Sequence, residues 1–146
     1  MARLIVLDAS VAIAALAGDD AHHQAAADAL AGANDDELVL AATTRAEILV
    51  GPARLGGKTL AAAQDFANGC ETVPVGAAVA DDAAELKARH RGLSLPDAIA
   101  LVVAEMIDAD EVWTFDRRWR DVEVARSLAG EGDALARVVA DRPQVR

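Results

Sequence analysis

The stretch that decides the fold is LPDAIALVVAEMIDADEVWTFD, residues 95–116. A helix-like apolar run starts at Asp97, and a strand-like run, Val112 to Phe115, closes on Asp116. A helix rising roughly 1.5 Å per residue carries the chain about 18 Å away between Asp97 and Ala109. A strand rising roughly 3.3 Å per residue returns it about 20 Å between Asp110 and Asp116. The two lengths nearly cancel. Both carboxylates are therefore expected at one edge of the domain.

Outward from this segment the chain alternates strands and helices. Arg3 to Leu7 reads as a buried strand closed by Asp8, and Ser10 to Leu16 and Ala21 to Ala31 read as helices. Glu37 to Ala41 is a second strand, and Thr43 or Thr44 is placed to cap a helix reaching Leu55. The GGK at 56–58 breaks that helix, which resumes from Thr59 to Asn68. Glu71 to Val75 is a third strand, Gly76 to Arg91 a helix with one charged side, and Glu111 to Phe115 a fourth strand. Leu95 to Ile107 is apolar nearly all round, so its Leu and Met side chains are expected in the core. Residues 127–146 hold a glycine-broken turn, one short helix and a polar end, and read as a peripheral tail.

Such alternation predicts an α/β fold with a parallel sheet covered on both faces. Ligands of such sheets sit beyond the carboxyl ends of the strands. Asp8 closes the first strand and Glu47 opens the helix after the second, so both join Asp97 and Asp116 at that edge. The expectation is one domain over 1–146, with its core at about 3–126.

Composition narrows the function. The chain has 146 residues, 53% of them hydrophobic but only 3% aromatic, so Ala, Val, Leu and Ile must pack the core. The single cysteine, Cys70, excludes an intrachain disulfide. The net charge of -10 argues against broad binding of nucleic acid through a basic face. It leaves room for a small site using a divalent cation, and for a basic partner. The opening MARLIVLDASVAIAALAG resembles a leader, but Asp8 interrupts what would be its apolar stretch. No apolar run is long enough to span a bilayer, and the chain reads as cytoplasmic.

Each acid has a local reading beside the functional one. Asp8 can be an N-cap. TRAE, 44–47, is a capping-box pattern with Glu47 as the reciprocal partner. Asp97 follows Pro96 in a first helical turn, where negative charge is favoured. Asp116 can close an Asx-type turn. Together they differ, because four crowded carboxylates raise one another's pKa and need compensation. The basic residues at hand are Arg45, Arg117 and Arg118. A hard cation such as Mg²⁺ or Mn²⁺, which prefers oxygen ligands, is the other solution. Ser10 and Thr114 set hydroxyls beside two of the acids, for orienting a carboxylate or for local backbone bonding.

LIVLDASVAIA, TTRAEILVG, LSLPDAIALVVAE and VWTFDRRW, in this order, resemble the PIN-domain nucleases, most closely the bacterial VapC-type toxin ribonucleases. The resemblance covers about residues 3–120. It implies a PIN-like three-layer α/β/α sandwich around a mostly parallel sheet of four to five strands. It implies a catalytic set of Asp8, Glu47, Asp97 and Asp116, with Asp8, Asp97 and Asp116 holding Mg²⁺ or Mn²⁺ and Ser10 and Thr114 supporting. RNA is then the substrate, with Arg117 and Arg118 placed to touch its phosphates, and a cognate antitoxin is the partner. Homodimers are common in the family. The family's usual opening, Asp-Thr/Ser-Asn/Ser, stands here as Asp8-Ala9-Ser10, and Ala9 is a mild departure because it cannot donate a side-chain bond.

Other readings are weaker. A haloacid-dehalogenase-like hydrolase wants an Asp where Ser10 stands. A receiver domain wants a late Lys, and no Lys follows Lys87. A catalytically silent binding module predicts loss of one or more acids, and all four are present. His22 and His23 are neighbours on a helix and point apart, so they read as structural or surface residues, as does His90. Trp113 and Trp119 have the chemistry to stack on bases, but Trp113 ends a buried strand and reads as core.

Overall fold

A computed structural model of the chain describes residues 2–121, 125–129 and 136–140, with side chains through Trp119. The order is β1 (Leu4–Leu7), α1 (Ala9–Leu16), α2 (His23–Ala31), β2 (Glu37–Ala41), α3 (Ala42–Leu55) and α4 (Gly57–Asn68). It continues with β3 (Glu71–Val73), α5 (Ala77–Arg89), α6 (Leu95–Met106), β4 (Glu111–Thr114), a 3₁₀ turn (Arg117–Asp121), β5 (Ala125–Ala129) and β6 (Ala136–Ala140). The sheet order is β3-β2-β1-β4-β6-β5. β3, β2, β1 and β4 run parallel. β6 pairs antiparallel with β4, and β5 with β6. The architecture is the expected α/β sandwich with a mostly parallel sheet.

Successive strand residues face opposite sides of the sheet. Val6, Val39 and Val112 pack with α5 and α6, while Ile5, Leu7, Leu40 and Trp113 pack with α1 and with Ile48 of α3. With both faces covered, the strands are continuous apolar runs, as parallel sheets require.

Helix α6 explains why the opening segment is so apolar: every residue from Ala98 to Ala104 is buried. It starts at Ser94, whose Oγ accepts the Asp97 N–H at 3.2 Å, and Pro96 stands in its first turn. It ends before Asp108, which takes the left-handed conformation at φ 55°, a role Asp tolerates. The expectation that all its Leu and Met side chains are core is corrected at the ends. Leu95 and Met106 are exposed, because the terminal turns overhang the sheet that buries the middle.

The tail also differs from its reading. Where one short helix was expected, the described residues form β5 and β6. Without them β4 would be an open edge next to the centre of the sheet. The ARVVA of β6 supplies β-branched residues that pair with that edge, Val138 opposite Val112. Tertiary pairing here overrides the helical preference of Ala. The GGK break is also narrower than read: Gly56 breaks the chain at φ 66°, and α4 begins at Gly57.

At the amino-terminal edge of the sheet the acids are paired. Asp36 and Glu111 bond the Arg3 guanidinium at 2.7 and 3.1 Å, and Asp110 accepts the Leu4 N–H at 2.8 Å. The carboxyl-terminal edge is different. Among the described residues, no helix is long and apolar enough to cross a membrane.

Candidate active site

Asp8 follows the last residue of the central strand and is only 6% exposed. It occupies the N-cap position of α1, yet its side chain makes no capping bond. Ser10 and Thr114 instead donate their hydroxyls to the same oxygen, Oδ2, at 2.7 and 2.8 Å. Each hydroxyl also accepts a backbone N–H from the segment leaving β4. Phe115 reaches Ser10 Oγ at 3.1 Å, and Asp116 reaches Thr114 Oγ1 at 2.9 Å. Two hydroxyls thus fix one carboxylate oxygen and the turn beyond β4. Burial pushes the Asp8 carboxyl above its usual range, and the charge of Asp97 adds to the rise. The Ser10 and Thr114 bonds oppose it.

Glu47 is not in a capping box. The helix begins at Ala42, so Thr44 lies inside it and is buried, and no side chain caps the start. Glu47 is in the second turn of α3, exposed at the rim of the acid cluster. Partial desolvation raises its carboxyl, and the charges of Asp8 and then Asp97 raise it further. Asp97 sits in the first turn of α6, half-buried, and Ser94 rather than Asp97 supplies the cap. Asp8, Glu47 and Asp97 therefore repel one another at one edge, contributed by β1, α3 and α6.

Asp116 stands differently. Its Oδ1 accepts the Arg118 backbone N–H at 2.9 Å, the Asx-type turn expected of it. The Arg118 guanidinium then closes on both oxygens, with Nη2 to Oδ2 at 2.6 Å and Nε at 3.0 and 3.1 Å. That bond holds the Asp116 carboxyl below its usual range. The same guanidinium feels the charges of Asp97 and Asp8. Arg45 offers no such compensation. It is tied to Ala67 O, Asn68 and Thr72, bridging α3 to the α4–β3 junction.

The PIN domain family profile matches residues 5–125, from the first strand through the turn after β4. The chain belongs to the PIN domain family. No curated protein gives a significant match. Solved structures of similar fold do exist. VapC20 of Mycobacterium tuberculosis, described as a toxin that cleaves the sarcin-ricin loop, is 22% identical with a TM-score of 0.67, over 77% of this chain and 90% of that one. A toxin–antitoxin complex from Klebsiella pneumoniae gives 18% identity and a TM-score of 0.67, over 82% and 92%. VapBC2 of Rickettsia felis, bound to a fragment of its promoter DNA, gives 14% identity and a TM-score of 0.59, over 82% and 92%.

PIN-domain membership makes a divalent cation the natural occupant of such an edge, and the donors suit one. They are carboxylate oxygens, mutually repelling, and no described side chain forms an ion pair with Asp8, Glu47 or Asp97. Among the described residues no group of three Asp, Glu, His or Cys side chains is drawn tightly enough to cage a metal. Mg²⁺ does not require a cage, since it is commonly held by one or two carboxylates with water and substrate phosphate completing the shell. The fit is therefore to a partly hydrated cation.

The remaining candidates fall outside this edge of the PIN domain. Trp113 and Trp119 are fully buried, so neither is available to stack on a base. Trp113 Nε1 donates to Glu111 at 2.7 Å. His22 stacks on Phe115 with ring centroids 4.3 Å apart, and a His23 ring nitrogen lies 2.8 Å from Ala14 O. His23 ties α2 to α1, and His22 packs the start of α2 against the segment leaving β4, both structural roles.

Proposed function

We propose that this PIN domain is a metal-dependent endoribonuclease, the toxin of a toxin–antitoxin pair, acting in the cytoplasm and inhibited by its cognate antitoxin. The observation that carries this reading is the set of Asp8, Glu47 and Asp97, in which the Asp97 charge raises the carboxyls of both Asp8 and Glu47, at the carboxyl-terminal edge of a parallel sheet. Repelling carboxylates cost stability, and folds retain them where function uses them.

Asp8 and Asp97 are the central ligands for Mg²⁺ or Mn²⁺, with Asp116 as a further ligand or acting through water. The chemistry the cation supplies when bound is a lowered pKa for water and neutralisation of the scissile phosphate. The rest falls to the chain. Ser10 and Thr114 hold Oδ2 of Asp8, which fixes the plane of the carboxylate and the direction of Oδ1. Glu47, at the rim, orients the attacking water by accepting its hydrogen at the carboxylate. In-line attack displaces the ribose 3′ oxygen and leaves a 5′-phosphate and a 3′-hydroxyl. Arg117 and Arg118, both exposed, are placed to meet the flanking phosphates. An open site of this kind takes unpaired RNA more readily than a duplex.

A protein partner has suitable surface. An apolar groove of about 640 Å³ runs between α1, α3 and α4, lined by Ile13, Leu16, Ile48, Pro52 and Leu55. The net charge of -10 suits a basic antitoxin. A homodimer is also consistent with the family.

The test is RNA cleavage by antitoxin-free protein on a mixed pool of structured RNAs, with Mg²⁺, Mn²⁺ or EDTA. Cleavage that needs the cation and vanishes in Asp97→Asn is expected. Absence of both cleavage and calorimetric metal binding would refute the nuclease reading and favour a silent binding module.

A further inference from the structure

Asp116 lies at the acidic edge with its carboxylate engaged by Arg118. Its two oxygens are taken by Arg118 through a backbone bond and a guanidinium fork. The fork is two residues away in sequence, so no fold rearrangement is needed to open or close it. The Arg118 side chain is 64% exposed, whereas that of Asp116 is 19% exposed. The arginine is therefore the partner with open solvent around it. The Asp116 backbone N–H is pinned by Thr114 Oγ1, whose own proton goes to Asp8.

Three observations separate Arg118 from a surface charge that merely folds back. The guanidinium reaches both carboxylate oxygens. Its charge is felt at Asp97 and Asp8 as well. And Arg45, the basic residue of α3, is anchored elsewhere. An arginine in that place does part of what a divalent cation would do, and does it on a carboxylate the cation would use.

We infer that Arg118 is a built-in counter-ion that occupies Asp116 in the cation-free protein and is displaced when a divalent cation takes the site. This rests on the nuclease reading for the identity of the cation, and concerns its regulation. Displacement has two effects. Asp116 becomes available as an oxygen ligand. The guanidinium, released on a short tether beside the site, becomes available to a substrate phosphate, for which its planar fork is suited. One side chain thus serves as a placeholder before loading and as a substrate contact after it.

The test measures Mn²⁺ binding to the full chain by calorimetry, in a cycle of wild type, Arg118→Met, Asp116→Asn and the double variant. A side-chain ¹⁵N–¹H spectrum follows the Arg118 Nε–H during a Mg²⁺ titration. The fork is exposed and screened, so Arg118→Met should tighten Mn²⁺ roughly threefold to tenfold. In the Asp116→Asn background the same change should have little effect. The Arg118 Nε–H signal should move with the same midpoint as the binding heat. Equal tightening in both backgrounds would mean that Arg118 acts only as a through-space charge, and would overturn the inference. So would a signal that stays fixed while heat shows the cation binding. If neither wild type nor Arg118→Met binds Mn²⁺ or Mg²⁺, both this inference and the nuclease reading fall. Binding with a fixed signal removes this inference alone.

Discussion

Thr114, at the end of β4, donates its hydroxyl to Oδ2 of Asp8, at the end of β1, over 2.8 Å. The donor and acceptor are 106 residues apart in sequence, and the strands that carry them are neighbours in the sheet. This bond ties the buried acid to the turn that bears Asp116. Replacing Thr114 by Val keeps the shape and removes the hydroxyl. The expected result is a loss of roughly 1–3 kcal/mol of stability, since the Asp116 N–H also loses its acceptor. The Asp8 carboxyl should rise further, read by carbon NMR titration. An unchanged Asp8 titration would show that Ser10 alone sets its state.

Asp8→Asn should separate stability from activity. The amide removes a buried charge and its repulsion by Asp97, while its oxygen still accepts from Ser10 and Thr114. In EDTA the thermal midpoint should rise by a few degrees, roughly 2–8 °C, while RNA cleavage is lost. A fall in the midpoint would mean that Asp8 is already neutral in the folded protein.

The pH dependence of the cation-free protein should run opposite to that of an ordinary salt-bridged domain just above the usual carboxylate range. Asp8 and Glu47 have folded pKa values above the usual 3.8 and 4.5. The folded state therefore binds their protons more tightly than the unfolded chain, and stability falls as pH rises from the usual values through the raised ones. Asp36 and Asp116 are lowered, so their contribution is present above about 3.8 and is lost as pH falls through their folded values. The midpoint in EDTA should decline as pH rises above the usual carboxylate range through the raised values, and Mg²⁺ should flatten that decline. A midpoint climbing steadily from about pH 5 to about pH 8 in EDTA would contradict the raised values.

Gly56 joins α3 to α4 at φ 66° and ψ -163°, a backbone region open essentially to glycine. No atom lies within 4 Å of where a Cβ would stand, so the cost of Gly56→Ala is conformational rather than steric packing. Denaturant unfolding should show a loss of about 1–3 kcal/mol with an unchanged m-value. A neutral substitution would mean that the joint relaxes freely.

Much of the site could be read from residue spacing because it depends on lengths. The helix of 95–106 and the strand of 111–114 do return Asp97 and Asp116 to one edge, and Asp8 and Glu47 follow from the parallel sheet. What spacing could not resolve was where each carboxylate turns. Asp116 has the right position but faces Arg118, because a bond between residues two apart depends on side-chain torsions that no periodicity encodes. TRAE has the letters of a capping box, but the strand before it runs straight into the helix and starts it earlier, at Ala42. The tail was misread for the converse reason: its Ala-rich composition suggested helix, and only the open edge of β4 makes it a strand.

The strand order has a bearing on how the protein comes into being. β1, the first strand synthesised, lies between β2 and β4, and Leu7 finds its partner Trp113 only after more than a hundred further residues exist. Asp8 therefore lacks Thr114 throughout most of translation, and Asp97 has not even left the ribosome when α3 presents Glu47. Early-emerging segments can gather locally, but contacts of such long sequence separation close late. A growing chain thus carries its acids as scattered side chains. They assemble only when the polypeptide is nearly complete.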